Sequence, residues 1–434
     1  MKLQLSKLVQ DMIKKPSPIR RIMKMADRQN MLSMGVDPEK VISFGGGWVN
    51  HEAPEELRKK YIEIVSDKKK FHKSGGYSPT PGETDCREAI AYFEREIFGV
   101  KLSWNNVLIG QSSTQITHDV FITIANPGDA LLLLDPTYAN YYGQAVFALP
   151  SARLLVEPGH IEKPIFDANL VYLNVFNPKT WRYLEDMNET IEKFKKMMDI
   201  HKPKAVLVPS PDNPTSQIPK HEFVQALLEI TKDKGAYLII DHAYKAQYFS
   251  EEMPRYFSWS PAEHENLITL HSNSKWGRGL GRRLGWVEAH ETVIDGMERT
   301  QQCSVLCPDT LHQMALTEYF NESIPNGELK RYLDKTREEY RKTAKVTLDA
   351  IDKYLGMKRL APEGGLYIVM DVGRDGNEFT MDVLKNTGVL FVPGEGFGAS
   401  LKNGVRISYG PWINNHQKII EGIERVGKYL NCRV

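Results

Sequence analysis

The chain has 434 residues, 41% of them hydrophobic and 26% charged, with a formal net charge of +1. That length is enough for two or three domains with a substantial core, so disorder is not expected. The near-zero charge gives no electrostatic footprint for nucleic acid or an anionic membrane surface.

In chain order, the opening Met1–Leu5 lacks a signal-peptide hydrophobic stretch, and no apolar run is long enough to span a bilayer. A soluble, cytoplasmic protein is expected. Residues 1–50 are too few for a core of their own and are expected to pack on a small domain built mainly from the C-terminal segment. From Val107 to Val287, short apolar runs alternate with helical patterns. Ala130–Leu134 runs unbroken into Asp135-Pro136, Ala205–Val208 into Pro209, and Tyr237–Ile240 into Asp241. Unalternating runs are strands buried on both faces, as in a parallel sheet covered by helices. Between them, Glu222–Lys234 carries apolar residues at helical spacing, and Gly235 is placed to end that helix. Leu267–Leu270 leads into His271-Ser272-Asn273-Ser274-Lys275. Ligands gather at the carboxyl ends of strands in open α/β sheets. The polar groups that follow these runs (Asp135 to Tyr138, Ser210 to Asn213, Asp241 to Tyr244, Ser272 to Lys275) therefore predict one pocket.

The tail reads differently. A charged helix over Tyr332–Tyr354 precedes strand-like runs at Gly365–Met370, Val389–Val392 and Val405–Tyr409, and a closing helix starts at Asn415. The expected fold is α/β: a large domain over 51–320 with a mainly parallel, helix-covered sheet, and a smaller α+β domain over 321–434 joined by the N-terminal segment. Four cysteines (Cys86, Cys303, Cys307, Cys432) are too few and scattered for a disulfide framework. Cys303 and Cys307 could share a helix face, but no second soft pair joins them, and the twelve histidines show no metal-ligand spacing. No metal is expected. Gly277-Arg278-Gly279-Leu280-Gly281 has the look of a nucleotide loop but follows no strand-to-helix Rossmann pattern.

Ser272-Asn273-Ser274-Lys275 with Arg283 eight residues on, together with Asn213-Pro214-Thr215, Asp241-x-x-Tyr244 and Arg406-Ile407-Ser408-Tyr409, resembles the fold-type I aminotransferases that use pyridoxal 5′-phosphate (PLP). The motifs stand in family order from about Ile42 to Tyr409. The resemblance implies that Lys275 forms an imine with PLP and shuttles the substrate proton. It makes Asp241 the partner of the pyridine nitrogen, and Tyr244 and Asn213 the hydrogen-bond donors to the cofactor's phenolic oxygen. Ser113, Thr114, Ser272 and Arg283 would hold the phosphate, the first two at a helix N-terminus, and Tyr138 would stack on the ring. Tyr77 would reach the phosphate of a partner subunit, making the active unit a homodimer. Arg406 would bind the substrate carboxylate with its planar fork, assisted by the backbone of Gly47. One departure is Ser216, where the family usually has glycine after Asn-Pro-Thr.

Ser17-Pro18-Ile19-Arg20, the Gly45-Gly46-Gly47 turn and Tyr77-Ser78-Pro79-Thr80 resemble the 2-aminoadipate and kynurenine aminotransferase branch, in parts of which an arginine at the Arg20 position reads the substrate side chain. For Arg20 a capped surface helix is the competing reading. The implied activity is transfer of the amino group of an acidic or aromatic L-amino acid to a 2-oxo acid such as 2-oxoglutarate. A β-lyase of the same fold begins with the same Cα deprotonation and is the alternative. A PLP-binding regulator is disfavoured because residues 1–40 are too short for a winged helix.

Overall fold

The computed structural model describes residues 4–14, 22, 24–155 and 163–432, with the side chains of 152–155 and 163–166 left aside. Its centre is a seven-stranded sheet in the order Val107–Gly110, Gly285–Glu288, Leu267–Ser272, Tyr237–Asp241, Ala205–Pro209, Ala130–Asp135, Asn169–Asn174. All neighbours pair in parallel except Gly285–Glu288, which runs antiparallel to both of its neighbours. The expected α/β fold with a mainly parallel sheet is the observed one. Leu131, Leu133, Leu207 and Ile239 pack into the layer on one face, and Leu132, Leu134, Val206 and Leu238 into the layer on the other. Burial on both faces is why these strands carry no polar alternation. Helix His221–Asp233 buries Phe223, Val224, Leu227 and Leu228, and Gly235 just beyond it takes the left-handed conformation at φ +65°.

A second, three-stranded antiparallel sheet joins Tyr367–Asp371, Gly404–Ser408 and Val392–Pro393. The run Val389–Val392, which reads as one strand, divides between two partners. Val389–Leu390 pairs in parallel with Ile42–Ser43, and Val392–Pro393 pairs with Arg406 and Val405. Phe391, between them, is fully buried and stacks on Phe44 at 5.7 Å. The charged helix is longer than expected, Glu328–Tyr354, and packs along the closing helix His416–Asn431, whose N-cap is the side chain of Asn415.

The helix Glu291–Ser304 ends before Cys307, with Leu306 at φ +71°, so Cys303 and Cys307 do not share a helix face. The chain turns out of the helix between them. Among the described residues, no helix is long and apolar enough to cross a membrane.

Candidate active site

The strand ends converge as expected. A cavity of about 370 Å³ is lined by Gly47, Ser113, Thr114, Tyr138, Asn213, Asp241, Tyr244, Ser272, Lys275, Arg283 and Arg406. These are the predicted residues except Tyr77, which is 86% exposed and outside the cavity of its own chain, and Arg20, which lies outside the described residues. The volume is that of an ordinary small-molecule pocket.

Lys275 follows the strand Leu267–Ser272 by three residues, so the sheet fixes its Cα and the side chain enters the cavity. Its ammonium donates to the Gly47 carbonyl and lies 5.4 Å from the centre of the Tyr244 ring. Burial, then Arg406 and Arg283, push its pKa down to about 7, against the pull of Asp241. An amine half-deprotonated near neutrality is a competent nucleophile.

Asp241 closes its strand with one oxygen taking the Ala243 N–H at 2.9 Å and the other the Tyr141 hydroxyl at 2.7 Å. Burial raises its pKa, and the Tyr141 bond opposes that rise. Tyr141 also lines the cavity and packs edge-on against Tyr138 at 5.3 Å. It escapes motif reading, although the turn that leads into the helix Asn140–Ala148 brings it beside Tyr138, whose carbonyl accepts its amide at 3.1 Å. Tyr244 is buried with its hydroxyl 2.6 Å from that of Tyr367, a second cavity residue not anticipated.

Arg406 is 2% exposed. Its two terminal nitrogens donate to Asn213 Oδ1 at 2.9 Å and to the Gly45 carbonyl at 3.0 Å. Tyr367 and Phe397 lie 4.3 and 4.7 Å from its guanidinium carbon. The glycine turn thus divides its work: Gly45 meets Arg406, and Gly47 meets Lys275.

At the other end, Arg283 donates to the hydroxyl of Ser112 and to the Leu280 carbonyl, the latter at 2.6 Å. Ser112 opens the helix Ser112–Ile124 and lines the cavity with Ser113, Thr114, Ser272 and Ser274. A Cβ at Gly285 would stand 2.9 Å from Ser112 Cα and 3.0 Å from the Ser113 nitrogen, so only glycine lets the strand pass under this helix start. Hydroxyls, an arginine and a helix N-terminus together suit a phosphate. The loop Gly277–Gly281 wraps Asn273: the amides of Gly277 and Gly279 both donate to its carbonyl at 3.2 Å.

Ser216 occupies the left-handed region at φ +57°, the conformation that makes glycine usual there. Its hydroxyl accepts the Tyr367 amide at 3.0 Å, a bond glycine could not supply. The departure therefore anchors the strand carrying Tyr367.

A reactive lysine, a carboxylate across the cavity and an anion cradle at a helix start fit PLP. When bound, it supplies an electron sink for the negative charge that develops at the substrate Cα. Fold and site together define a PLP-dependent enzyme of fold-type I. Residues 39–423 match the model of the family described as aminotransferase class I and II. Among curated proteins, the chain is 25% identical to an aspartate aminotransferase of Pyrococcus horikoshii over 395 residues, covering 90% of this chain and 91% of that one. It is 27% identical to aromatic-amino-acid aminotransferase 1 of Thermococcus litoralis over 420 residues, covering 94% and 92%. Among solved structures, it resembles the Thermus thermophilus aspartate aminotransferase with maleate, with a TM-score of 0.79 at 24% identity, covering 98% and 100%. The chain belongs to the aminotransferase class I and II family. It is an aminotransferase that uses PLP and acts on amino acids and 2-oxo acids.

Proposed function

We propose that this aminotransferase moves the amino group of an acidic or aromatic L-amino acid to a 2-oxo acid, with 2-oxoglutarate as an acceptor, and that Lys275 carries both the cofactor and the proton. The observation that supports this best is the convergence of Lys275, Asp241 and Arg406 on one cavity. In this reading Arg406 orients the α-carboxylate, Asp241 holds the pyridine nitrogen protonated, and Tyr244 and Asn213 meet the phenolic oxygen. Ser113, Thr114, Ser272 and Arg283 hold the phosphate, with Ser112 added to the set. With the carboxylate fixed, the freed Lys275 amine takes the proton from the substrate Cα; its buried setting beside Arg406 and Arg283 disfavours the charged form. The two substrate classes draw support from relatives named for aspartate and for aromatic amino acids. Trp48, Tyr138, Leu280 and Tyr367 add apolar wall suited to a ring.

The test is a donor panel with 2-oxoglutarate, following glutamate formation. Turnover of both aspartate and an aromatic amino acid supports the reading. Release of pyruvate and ammonia without an acceptor would replace it with the lyase, which no named relative favours.

The proposal includes a homodimer in which Tyr77 reaches the partner's phosphate site, consistent with its exposure outside its own cavity. Light scattering should give twice the chain mass, and a monomer that turns over would contradict it. It also includes a cytoplasmic location and the division into 1–50, 51–320 and 321–434. Pairing of Ile42–Ser43 with Val389–Leu390 supports the docking of the N-terminal segment.

A further inference from the structure

Behind the strand ends lies a group of ionisable side chains that the proposed chemistry does not use. Glu94, on the helix Thr84–Phe98, lies beside Lys245, His271 and Glu288, all buried to 4% exposure or less. Lys245 Nζ donates to Glu94 Oε2 at 2.6 Å. The two ring nitrogens of His271 face the two carboxylates, Nδ1 3.3 Å from Glu94 Oε1 and Nε2 3.4 Å from Glu288 Oε1. Thr269 Oγ1 lies 2.9 Å from His271 Nε2 and donates to Glu288 Oε2 at 3.1 Å, and Trp286 Nε1 donates to Glu288 Oε1 at 3.0 Å. The His271 ring lies flat on Trp286, 5.3 Å away at 4°, and the His242 ring stands 5.5 Å from it.

Two carboxylates and an imidazole suggest a metal site, but the position opposite Glu94 is already held by the Lys245 ammonium, and both Glu288 oxygens already accept hydrogen bonds. The cluster is an ion network in which Glu94 Oε1 faces His271 Nδ1 without a hydrogen bond, and it is attached to the strand ends of the cavity. Successive residues of an extended segment point to opposite sides. Ser272 lines the cavity while its strand neighbour His271 belongs to the cluster, and Asp241 lines it while His242 packs on His271; in the turn that follows, Tyr244 lines the cavity and the next residue, Lys245, belongs to the cluster. Ser272 borders both the cavity and a small void beside the cluster.

We propose that the Glu94–Lys245–His271–Glu288 cluster is a positioning element of the cofactor site, clamping from behind the strand ends that present Asp241, Tyr244 and Ser272. The proposal rests on the assignment of those residues to PLP binding. Removing one partner of a buried pair leaves the other charge uncompensated, and the backbone must shift or admit water to accommodate it. A shift at residue 245 or 271 is passed to its neighbour by one peptide unit. A network serving only the stability of the fold would lower melting without touching the cofactor.

The experiment uses the full chain, freed of cofactor, as Lys245→Met, Glu288→Gln and the conservative Lys245→Arg. Three readouts are taken: melting of the cofactor-free protein, the PLP dissociation constant from fluorescence quenching, and the pH titration of the visible absorbance of lysine-bound PLP. The clamp predicts PLP binding weaker by about ten-fold or more in Lys245→Met and Glu288→Gln, a part of the cost of breaking a buried ion pair. It also predicts a displaced absorbance titration in both, and recovery of most of the affinity in Lys245→Arg. Unchanged affinity and titration, with losses confined to melting, would overturn it. Failure of both neutralising variants to fold would also overturn it, assigning the network to the fold alone. If the unmutated protein took up no PLP, the site assignment itself would fall, a result distinct from any difference among variants.

Discussion

Replacing Arg406 with lysine keeps the positive charge and removes the planar fork. In the structure the fork is pre-set: one terminal nitrogen is fixed on Asn213, the other on the Gly45 carbonyl, with aromatic rings 4.3 and 4.7 Å away. A lysine ammonium has no plane to lie against those rings and cannot offer two parallel donors to a carboxylate. Losing one charge-assisted hydrogen bond costs about 1.5–3 kcal/mol. At about 1.4 kcal/mol per decade, that is a loss of about 10- to 150-fold in kcat/KM. The assay is steady-state kinetics with an amino acid and with the matching amine that lacks the carboxylate. The loss should appear for the amino acid, mostly in KM, and be small for the amine. Equal losses for both, or an unchanged KM for the amino acid, would refute the role given to Arg406.

Three further outcomes follow from the same geometry. In the cofactor-free protein, the pKa of Lys275, lowered to about 7, leaves its amine protonated below that pH and free above it. The rate of its modification by an amine reagent should therefore rise through about pH 7 and level off, and a rise centred near the ordinary lysine value, about 10.4, would contradict the burial and cation effects. Tyr141→Phe removes a hydrogen bond to the buried Asp241 carboxylate, worth about 1.5–3 kcal/mol; the Asp241 pKa should rise further and PLP binding weaken by about ten-fold or more, whereas unaltered affinity would count against that bond. Ser216→Ala keeps the left-handed backbone and orphans the Tyr367 amide, costing about 1–3 kcal/mol in chemical denaturation, while Ser216→Gly relaxes the backbone and costs less; the reverse order would refute the reading of Ser216.

The large sheet was legible because its strands are buried on both faces, so Ala130–Leu134 and Tyr237–Ile240 stand out as unalternating apolar runs that end at polar residues. The same positions made Asp241 and Lys275 visible as a shared site. Other features depend on contacts distant in sequence. Val389–Val392 is uniformly apolar, and nothing local says that its first half pairs with Ile42–Ser43 and its second with the strand of Arg406. Tyr141 looks like one aromatic among several in Tyr138–Tyr142, and only its aim at Asp241 gives it a role. Glu94, Lys245, His271 and Glu288 come from separate segments and meet only because Gly285–Glu288 folds back antiparallel beside Leu267–Ser272, with the helix Thr84–Phe98 packed behind. Histidine spacing could not find that cluster, because its partners are far apart along the chain.

The most direct test of the central claim is the absorption spectrum of the purified protein, before and after adding glutamate without any acceptor, beside that of Lys275→Ala. A visible band of lysine-bound PLP should fade as an equimolar amount of 2-oxoglutarate appears, and the variant should show no such band. Absence of any visible band from the unmutated protein, even after incubation with excess PLP, would contradict that claim.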